Sequence, residues 1–265
     1  MPEIVNPTPG NFCWVELATS DPAAGKKFYT QLLGWNTTDM PMPDQKEPYT
    51  MADIGGKHVA GIMRLPEPAK AMGAPPHWLS YVAVADCKAH ADKATSLGGK
   101  VVFGPVTMGP GMMAVVQDPA GGTFALWQTL QSMGTSLYGE DNALCWNELM
   151  TTNVDAAGKF YSGLFGWKFE PMQMSPEMTY IIIKNGEQMI GGMMAQPKEM
   201  AGAPSMWGLY FAVADCDGTV AKATSLGAQV FVPPTDIPNT GRFATLADPQ
   251  GAAFSVLKPI PMPAK

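Results

Sequence analysis

The sequence predicts an α+β protein made of four βαβββ modules in two tandem domains. The main observation is a repeat: FCWVELATSDPAAGKKFYTQLLGW, Phe12 to Trp35, returns as LCWNELMTTNVDAAGKFYSGLFGW, Leu144 to Trp167, with twelve of twenty-four positions identical. A fainter repeat lies inside each half, because Asp21 to Gly34 and Asp86 to Gly98 both have the pattern of a capped helix that follows a strand and precedes three more. The length of 265 residues suits two domains of about 130 residues.

Each long repeat opens with a strand and continues into a helix. Cys13 to Thr19 alternates in character and predicts a strand. Asp21 is a good N-cap with Pro22 at the first helical position, and Gly34 ends the helix. In the second copy Asn153 takes the capping role.

The strand period of two predicts which side chains of the first strand share a face. One face carries Trp14, Glu16 and Ala18, and the other carries Cys13, Val15, Leu17 and Thr19. We expect the second of these faces to meet the helix.

Turn signals divide the remainder into further strands and one more capped helix per half. Strands are predicted at Tyr49–Ile54, Val59–Leu65, Met112–Gln117 and Thr123–Gln128, and in the second half at Tyr180–Lys184, Met189–Ala195, Phe243–Leu246 and Ala253–Lys258. Asp86 and Asp215 are expected to cap the additional helices, and the Asp-Pro-x-Gly sequences predict turns. The Gly73–Pro75 and Gly202–Pro204 loops either line a cavity mouth or are plain surface connections.

These elements set the predicted domain bounds. The first domain spans 1–130, with modules at about 11–65 and 76–128. Residues 131–143 form a linker. The second domain spans 144–265, with modules at about 144–196 and 205–258.

Composition narrows the class of partner. A net charge of −6 and a pI near 5.0 argue against a nucleic-acid partner, so we expect a small-molecule ligand or substrate. The sequence has neither a membrane-spanning apolar run nor a secretory signal, which predicts a cytoplasmic protein without a membrane partner. Two domains in one chain are compatible with a monomer, but the sequence does not fix the oligomeric state. The four cysteines, Cys13, Cys87, Cys145 and Cys216, are interpreted as reduced structural thiols.

The order of elements, with CWxEL, FYxxLxGW and Asp-Pro-x-Gly, resembles the vicinal oxygen chelate superfamily of glyoxalases, bleomycin-resistance proteins and extradiol dioxygenases. Within it, these motifs and the GRFATLADPQGAAFSVLKP ending are similar to two-domain culture-filtrate antigens and to hydroxylases of antibiotic biosynthesis. The resemblance implies that paired modules curl their sheets around a cup. Enzymes of the family hold a divalent metal in that cup.

The family's metal-ligand positions are occupied here by residues that do not bind metals. These positions hold Trp14, Trp146, Leu79, Gly208, Ala125 and Ser255. We therefore expect no cofactor and no divalent metal. The alternative is a shifted constellation of His58, His77 and Glu16, although His58 has the sequence context of an exposed turn. His90 is expected on a solvated helix face.

The candidate catalytic residues are Glu16 and Glu148, which lie on the same strand face as Trp14 and Trp146. Desolvation in an apolar cup would raise the pKa of either carboxyl toward the range of a general base. The alternative is a buried glutamate that only supports the cup. The candidate ligand-binding residues are Trp14, His77, Leu79, Tyr81, Trp127, Trp146, Tyr210 and Arg242, with Tyr81 and Tyr210 as partners of the glutamates.

Three functions remain open from the sequence. The first is metal-independent binding of a small apolar or aromatic molecule, of antibiotic or polyketide type, in one or both cups. The second is an acid-base enzyme, an isomerase or cofactorless hydroxylase, that uses Glu16 or Glu148. The third is a metal-dependent, glyoxalase-like lyase. The sequence does not decide whether the protein is an enzyme.

Overall fold

The protein folds into two eight-stranded sheets, one in each half of the chain. A computed structural model describes residues 7–42, 46–131, 135–175 and 178–260. Each sheet is curled and combines two βαβββ modules, which confirms the predicted α+β class and cup-shaped sheets.

The elements follow the same order in both halves. The first half comprises β1 (Phe12–Thr19), α1 (Pro22–Leu33), β2 (Asn36–Met40), β3 (Tyr49–Ile54), β4 (Lys57–Arg64), α2 (Glu67–Ala71), β5 (His77–Ala83), α3 (Cys87–Ser96), β6 (Lys100–Met108), β7 (Gly111–Gln117) and β8 (Thr123–Thr129). The second half comprises β9 (Leu144–Thr151), α4 (Val154–Phe165), β10 (Lys168–Ser175), β11 (Met178–Asn185), β12 (Gln188–Ala195), a 3-10 turn (Lys198–Met200), β13 (Met206–Ala212), α5 (Cys216–Ser225), β14 (Gln229–Ile237), β15 (Gly241–Ala247) and β16 (Ala253–Pro259).

The strand order places the two modules of each half side by side. It is β2-β3-β4-β1-β5-β8-β7-β6 in the first sheet and β10-β11-β12-β9-β13-β16-β15-β14 in the second. The first strands of the two modules, β1 and β5, pair antiparallel at the centre, as do β9 and β13. The residues of these central strands therefore form the floor of each cup.

Local signals in the sequence account for the helix bounds. The side chains of Asp21, Asp86 and Asn153 each accept a hydrogen bond from the backbone N–H three residues later, as predicted for N-caps. Gly34 ends α1 with φ 70°, a conformation that costs glycine little. Asp215 is the N-cap residue of α5, as predicted, but its side chain makes no capping hydrogen bond.

A β-bulge makes one face of β1 differ from the prediction. The pairing of β1 with β5 shifts register between Phe12 and Trp14, so the alternation of side chains is interrupted at Cys13. Cys13 consequently packs with Trp14 in the cup, whereas Val15 and Leu17 pack toward α1 as predicted. All four cysteines are free, as expected, with Cys145 half-buried and the others buried.

The convex faces of the two sheets share buried cores. One core joins the first and fourth modules, where Phe28 of α1 packs against Phe254 of β16. The other joins the second and third modules, where Phe124 of β8 packs against Phe160 of α4. The helices therefore lie between the sheets, and the two concave faces remain open.

Each core contains a hydrogen-bonded chain that links the halves. The Trp78 indole donates to the Tyr29 hydroxyl at 2.9 Å, and Tyr29 donates to the Asp248 carboxylate at 3.1 Å. In the second half, the Trp207 indole donates to Tyr161 at 2.8 Å, and Tyr161 donates to Asp118 at 2.9 Å. The tyrosine of the FY motif and the aspartate of Asp-Pro-x-Gly thus meet across the halves.

The segment between the sheets packs closely where the structure describes it. Thr135 is buried, and its backbone N–H donates to the carbonyl of Cys13 at 2.7 Å. The carbonyl of Asn142 accepts from the Trp35 indole at 2.8 Å. Across the described ranges, no helix is long and apolar enough to cross a membrane.

Candidate functional site

The concave faces of the two sheets line a large, mostly apolar cavity space. The space that the two cups line together is partly open to solvent and measures about 3500 Å³, against roughly 300–1,000 Å³ for one ordinary small-molecule pocket. Methionines contribute much of this surface, among them Met51 and Met63 in the first cup and Met150 and Met194 in the second. Thioether side chains are flexible and polarizable, which suits adaptable contact with an apolar ligand.

The loops with the repeated Gly-Ala-Pro sequence lie at the mouths of the cups. Residues 73–75 border the first cup, and Ala203 and Pro204 border the second. The structure therefore favours the cavity-mouth alternative over a plain surface connection.

The floor of the first cup carries a buried glutamate held by two tyrosines. Glu16 is only 9% exposed, and its Oε1 accepts a hydrogen bond from the Tyr81 hydroxyl at 2.9 Å. Tyr49 also donates to the carboxylate. The Tyr49 hydroxyl in turn accepts from the Trp14 indole at 3.0 Å. A chain from tryptophan through tyrosine to glutamate therefore fixes the carboxylate, with a second tyrosine on its other side.

The second cup repeats this arrangement. Glu148 is also 9% exposed; its Oε1 accepts from Tyr210 at 2.9 Å and its Oε2 from Tyr180 at 2.8 Å. The Trp146 indole donates to the Tyr180 hydroxyl at 2.8 Å. Both oxygens of this carboxylate thus have a donor, while the side chain still borders the cavity.

A glycine beside each glutamate makes room for one of its two tyrosines, Tyr49 in the first cup and Tyr180 in the second. Gly61 pairs with Glu16 across β4 and β1, and Gly192 pairs with Glu148 across β12 and β9. A Cβ at Gly61 would lie 1.8 Å from the Tyr49 hydroxyl oxygen, and a Cβ at Gly192 would lie 1.9 Å from that of Tyr180. The tyrosine of β3 or β11 therefore reaches the carboxylate by crossing over a glycine.

Burial changes the proton affinity of both glutamates. Desolvation raises the pKa of Glu16 above its ordinary value, and the hydrogen bonds from Tyr49 and Tyr81 oppose this rise. The pKa of Glu148 is raised for the same reason, against the hydrogen bonds from Tyr180 and Tyr210. A carboxyl with raised pKa is a stronger base when ionised, so either glutamate has the property that proton abstraction requires.

Most of the predicted ligand-binding side chains do line the cups. This set comprises Trp14, His77, Leu79, Tyr81, Trp127, Trp146 and Tyr210, together with the two glutamates. His77 lies at a rim, where its Nδ1 is 2.8 Å from the carbonyl oxygen of Pro75.

Three interpretations of the sequence, those of Arg242, the histidine constellation and His90, need correction. Arg242 is absent from the cup lining because its neighbour Phe243 faces the cavity and alternation turns Arg242 away. Its guanidinium instead makes a bidentate pair with Asp217 of α5, at 2.6 and 2.9 Å. His58 is exposed and lies outside the cup lining, so the shifted constellation with His77 and Glu16 does not form. His90 is not simply solvated, since its ring stacks on Phe165.

Sequence reasoning missed Tyr49 and Tyr180 as partners of the glutamates. Both stand at the start of a predicted strand and occupy matching places in the two halves. The repeated tyrosine and the repeated glycine, Gly61 and Gly192, were the available signal. The sequence alone did not show that this tyrosine crosses an intervening strand.

The side chains of the cups do not fit a divalent metal. Trp14, Leu79 and Ala125 occupy the family's ligand positions in the first cup, and Trp146, Gly208 and Ser255 in the second. Within the described ranges, no three His, Cys, Asp or Glu residues come close enough to hold a metal ion. The floor of each cup holds one buried carboxylate, Glu16 or Glu148, whose neighbours are phenols and indoles.

Comparison with known proteins agrees with this architecture. A family model described as "Glyoxalase/Bleomycin resistance protein/Dioxygenase superfamily" matches residues 12–126 and again 144–256. The chain is 44% identical over 249 residues to "Putative glyoxylase CFP32" of Mycobacterium tuberculosis, with 94% of each chain covered. It is 34% identical over 262 residues to "Anthracycline biosynthesis protein DnrV" of Streptomyces peucetius, again with 94% of each covered.

Solved structures share the fold at low sequence identity. The Mn(II)-bound glyoxalase from Novosphingobium aromaticivorans is 14% identical with a TM-score of 0.64, covering 94% of this chain and 82% of that one. The 2,3-dioxygenase LapB from Pseudomonas sp. KL28 is 13% identical with a TM-score of 0.65, covering 97% and 95%. These similarities extend over both halves and both cups. The chain belongs to the Glyoxalase/Bleomycin resistance protein/Dioxygenase superfamily.

Proposed function

We propose that this protein binds a small, largely aromatic molecule in a cup and does so without a metal. The observation that carries the proposal is the buried glutamate clamped by two tyrosines at the floor of an apolar, methionine-lined cavity. An apolar wall with a few convergent polar groups is the usual form of a small-molecule site. The positions that the family resemblance assigns to metal ligands hold tryptophan, leucine, glycine, alanine and serine residues here.

The class of ligand follows from the cup chemistry and from one relative. Aromatic and thioether walls favour a flat apolar body, while the carboxylate, which accepts hydrogen bonds, selects a hydroxyl group on the edge of that body. The relative from Streptomyces peucetius is named for anthracycline biosynthesis. A polycyclic hydroxyquinone combines these features, so we propose this class, of the polyketide type, for the ligand.

The direct test is a titration of the purified chain with 1,8-dihydroxyanthraquinone by isothermal titration calorimetry, in parallel with and without EDTA. The proposal expects saturable binding that EDTA leaves unchanged, together with quenching of the cavity-lining tryptophans. Heat signals that disappear with EDTA and return with added Mn²⁺ would contradict metal independence. No saturable binding in either buffer would contradict the proposed function.

A second candidate function is acid-base catalysis by Glu148 or Glu16, favoured by the raised pKa of each carboxyl. An ionised glutamate in this position would take a proton from an acidic C–H or O–H of the bound ligand, and its tyrosines would stabilise the anion of the product. This candidate predicts turnover that Glu148→Gln or Glu16→Gln abolishes while binding persists. Full activity in both single variants and in the double variant would assign the glutamates a supporting role alone.

A further inference from the structure

The two cups share the glutamate clamp but differ in how much space surrounds it. Leu79 pairs with Glu16 across the central strands, and Gly208 pairs with Glu148 at the equivalent position. Leu79 is buried and packs against Trp14 and Tyr81, so its side chain fills the floor of the first cup. A Cβ at Gly208 would have no heavy atom nearer than 3.8 Å. The second cup therefore has more room than the first at this position, bordered by the flexible end of the Met150 side chain at 3.8 Å.

A second substitution increases the difference. Trp127 of β8 and Leu257 of β16 occupy equivalent positions, opposite Ala83 and Ala212. The Trp127 ring lies 6.2 Å from Tyr81 and packs over Gly111, where a Cβ would come within 2.3 Å of the ring. Leucine at this position leaves the equivalent space of the second cup less filled.

The burial of the floor residues agrees with this difference. Trp14, Leu79 and Tyr81 belong to a buried cluster in the first cup. Among the described residues, the second cup forms no corresponding cluster. Trp146 is accordingly half-buried, whereas its counterpart Trp14 is 6% exposed. The floor of the first cup is therefore more tightly packed than the floor of the second.

The second cup has a polar wall. Thr245 and Ser255 line it, and their hydroxyl oxygens are 2.9 Å apart. Ser255 pairs with Tyr210 across β16 and β13, and Tyr210 donates to Glu148. A chain of hydroxyls thus leads from the glutamate along one wall. The equivalent residues of the first cup are Val115 and Ala125, which have no polar side-chain atom. The first cup has its polar pair one step farther along the corresponding strands, where Gln117 donates to Thr123 at 3.2 Å.

An aromatic surface lies beside this polar wall. The ring of Phe243 lies 6.2 Å from that of Tyr210 and borders the cavity. A flat ligand packed against Phe243 would present its edge to Thr245 and Ser255. Hydroxyl groups both donate and accept, so they suit an edge that carries phenolic and ketonic oxygens together.

We propose that the second cup is the binding cup and that Gly208, Thr245 and Ser255 determine its specificity for an aromatic ligand with edge oxygens. The assignment rests on the proposed function. Gly208 admits the ligand beside Glu148, and the Thr245–Ser255 pair recognises its oxygens. In the first cup Leu79 and Trp127 occupy the space that the same ligand would need beside Glu16, and this cup serves as a structural counterpart.

The test is calorimetric titration of the full chain and three variants with 1,8-dihydroxyanthraquinone. The unaltered chain should bind one molecule per chain, and Gly208→Leu should abolish binding. Thr245→Val should weaken binding about tenfold, the loss of about one hydrogen bond. Val115→Thr, the matched change in the first cup, should leave affinity and stoichiometry unaltered.

Two results would overturn the assignment. One is unaltered affinity in Gly208→Leu, and the other is two equal sites per chain. If Thr245→Val binds the ligand with unaltered affinity, the Thr245 hydroxyl does not recognise the ligand. If Gly208→Leu fails to fold, Ser255→Ala replaces it, with a loss of about tenfold expected. Absence of binding by the unaltered chain would overturn the proposed function itself, whereas the variant results bear on the choice of cup alone.

Discussion

The described residues contain the same chain of tryptophan, tyrosine and carboxylate in two settings, the interior between the sheets and the floor of the cups. In the interior, Asp248 accepts from Tyr29 through one oxygen and from the backbone N–H groups of Gln250 and Ala252 through the other, at 2.9 and 3.0 Å. In the cup, Glu148 accepts from two tyrosine hydroxyls and borders the cavity.

The difference lies in what surrounds the carboxylate. The interior aspartates meet donors on every side, so their role is to fix the position of one half against the other. The cup glutamates keep acceptor capacity on the side of the cavity, because a carboxylate can accept about four hydrogen bonds. The same set of donors therefore stabilises the fold in one place and holds a reactive group ready for a ligand in the other.

Removal of the tyrosine hydroxyl should lower the free energy of unfolding in both settings, and this loss should show the largest difference between the interior and the cup. Tyr29→Phe leaves the buried Trp78 indole and one Asp248 oxygen without a partner, which should cost about 2–5 kcal/mol of unfolding free energy. Tyr49→Phe also leaves the Trp14 indole without its partner. It should nevertheless cost only about 1–2 kcal/mol, because Glu16 retains Tyr81 and water can enter from the cavity. Urea unfolding followed by circular dichroism measures both.

The second half provides a repeat of this experiment. Tyr161→Phe corresponds to Tyr29→Phe, and Tyr180→Phe corresponds to Tyr49→Phe. The interior variant should again be the less stable one. Equal losses at the interior and cup positions would show that the cup chains are structural in the same sense as the interior ones.

A change at the glycine under the tyrosine should have an intermediate effect. Gly192→Ala places a methyl group 1.9 Å from the Tyr180 hydroxyl and should displace that ring, at a cost of about 1–3 kcal/mol. Gly158→Ala in α4 is the matched control. No heavy atom lies within 4 Å of a Cβ there, so the variant should gain up to about 1 kcal/mol from helix propensity.

Thermal and urea unfolding measure the stability of the two alanine variants. Calorimetric titration with 1,8-dihydroxyanthraquinone measures their ligand affinity. Gly192→Ala should lose both stability and ligand affinity, whereas Gly158→Ala should keep its affinity. If Gly192→Ala has unaltered stability and affinity, the tyrosine does not depend on the glycine for its position.

The sequence predicted the parts of this site that depend on one strand or one turn. Alternation placed Trp14 and Glu16 together and predicted Tyr81 as a partner, because β1 and β5 are neighbours. The caps of α1 and α4 followed from local hydrogen bonding. These features depend on geometry within one strand, one turn or one pair of neighbouring strands. The repeat helps to identify them because it places the same residue types at matching positions in both halves.

Other parts depend on contacts between elements that are not neighbours. Tyr49 belongs to β3, which is separated from β1 by β4, so strand alternation could not join it to Glu16. The face of Arg242 is set by Asp217 of α5. Likewise, the position of Asp248 in the interior is set by Tyr29 of the other half. None of these pairings has a signal within its own strand or turn.

The smallest expected effect is the pH dependence of stability that Glu16 contributes. Burial raises the pKa of this carboxyl above its ordinary value of 4.5, so the folded protein retains the proton at a pH where the unfolded chain has lost it. Ionised Glu16 therefore lowers stability above the folded-state pKa. This penalty is relieved as the pH falls through that pKa, and it is absent below about 4.5.

Glu16→Gln should consequently be more stable than the unaltered chain at neutral pH, and its advantage should shrink as the pH falls toward 4.5. Asp217→Asn is the control of opposite sign, because the paired Arg242 lowers the pKa of Asp217. That variant should be slightly less stable at neutral pH and equal to the unaltered chain in acid. Urea unfolding at a series of pH values measures both differences. An advantage of Glu16→Gln that does not change with pH would show that ionisation of the cup carboxylate carries no cost, and that the cup is wetter than its apolar lining implies.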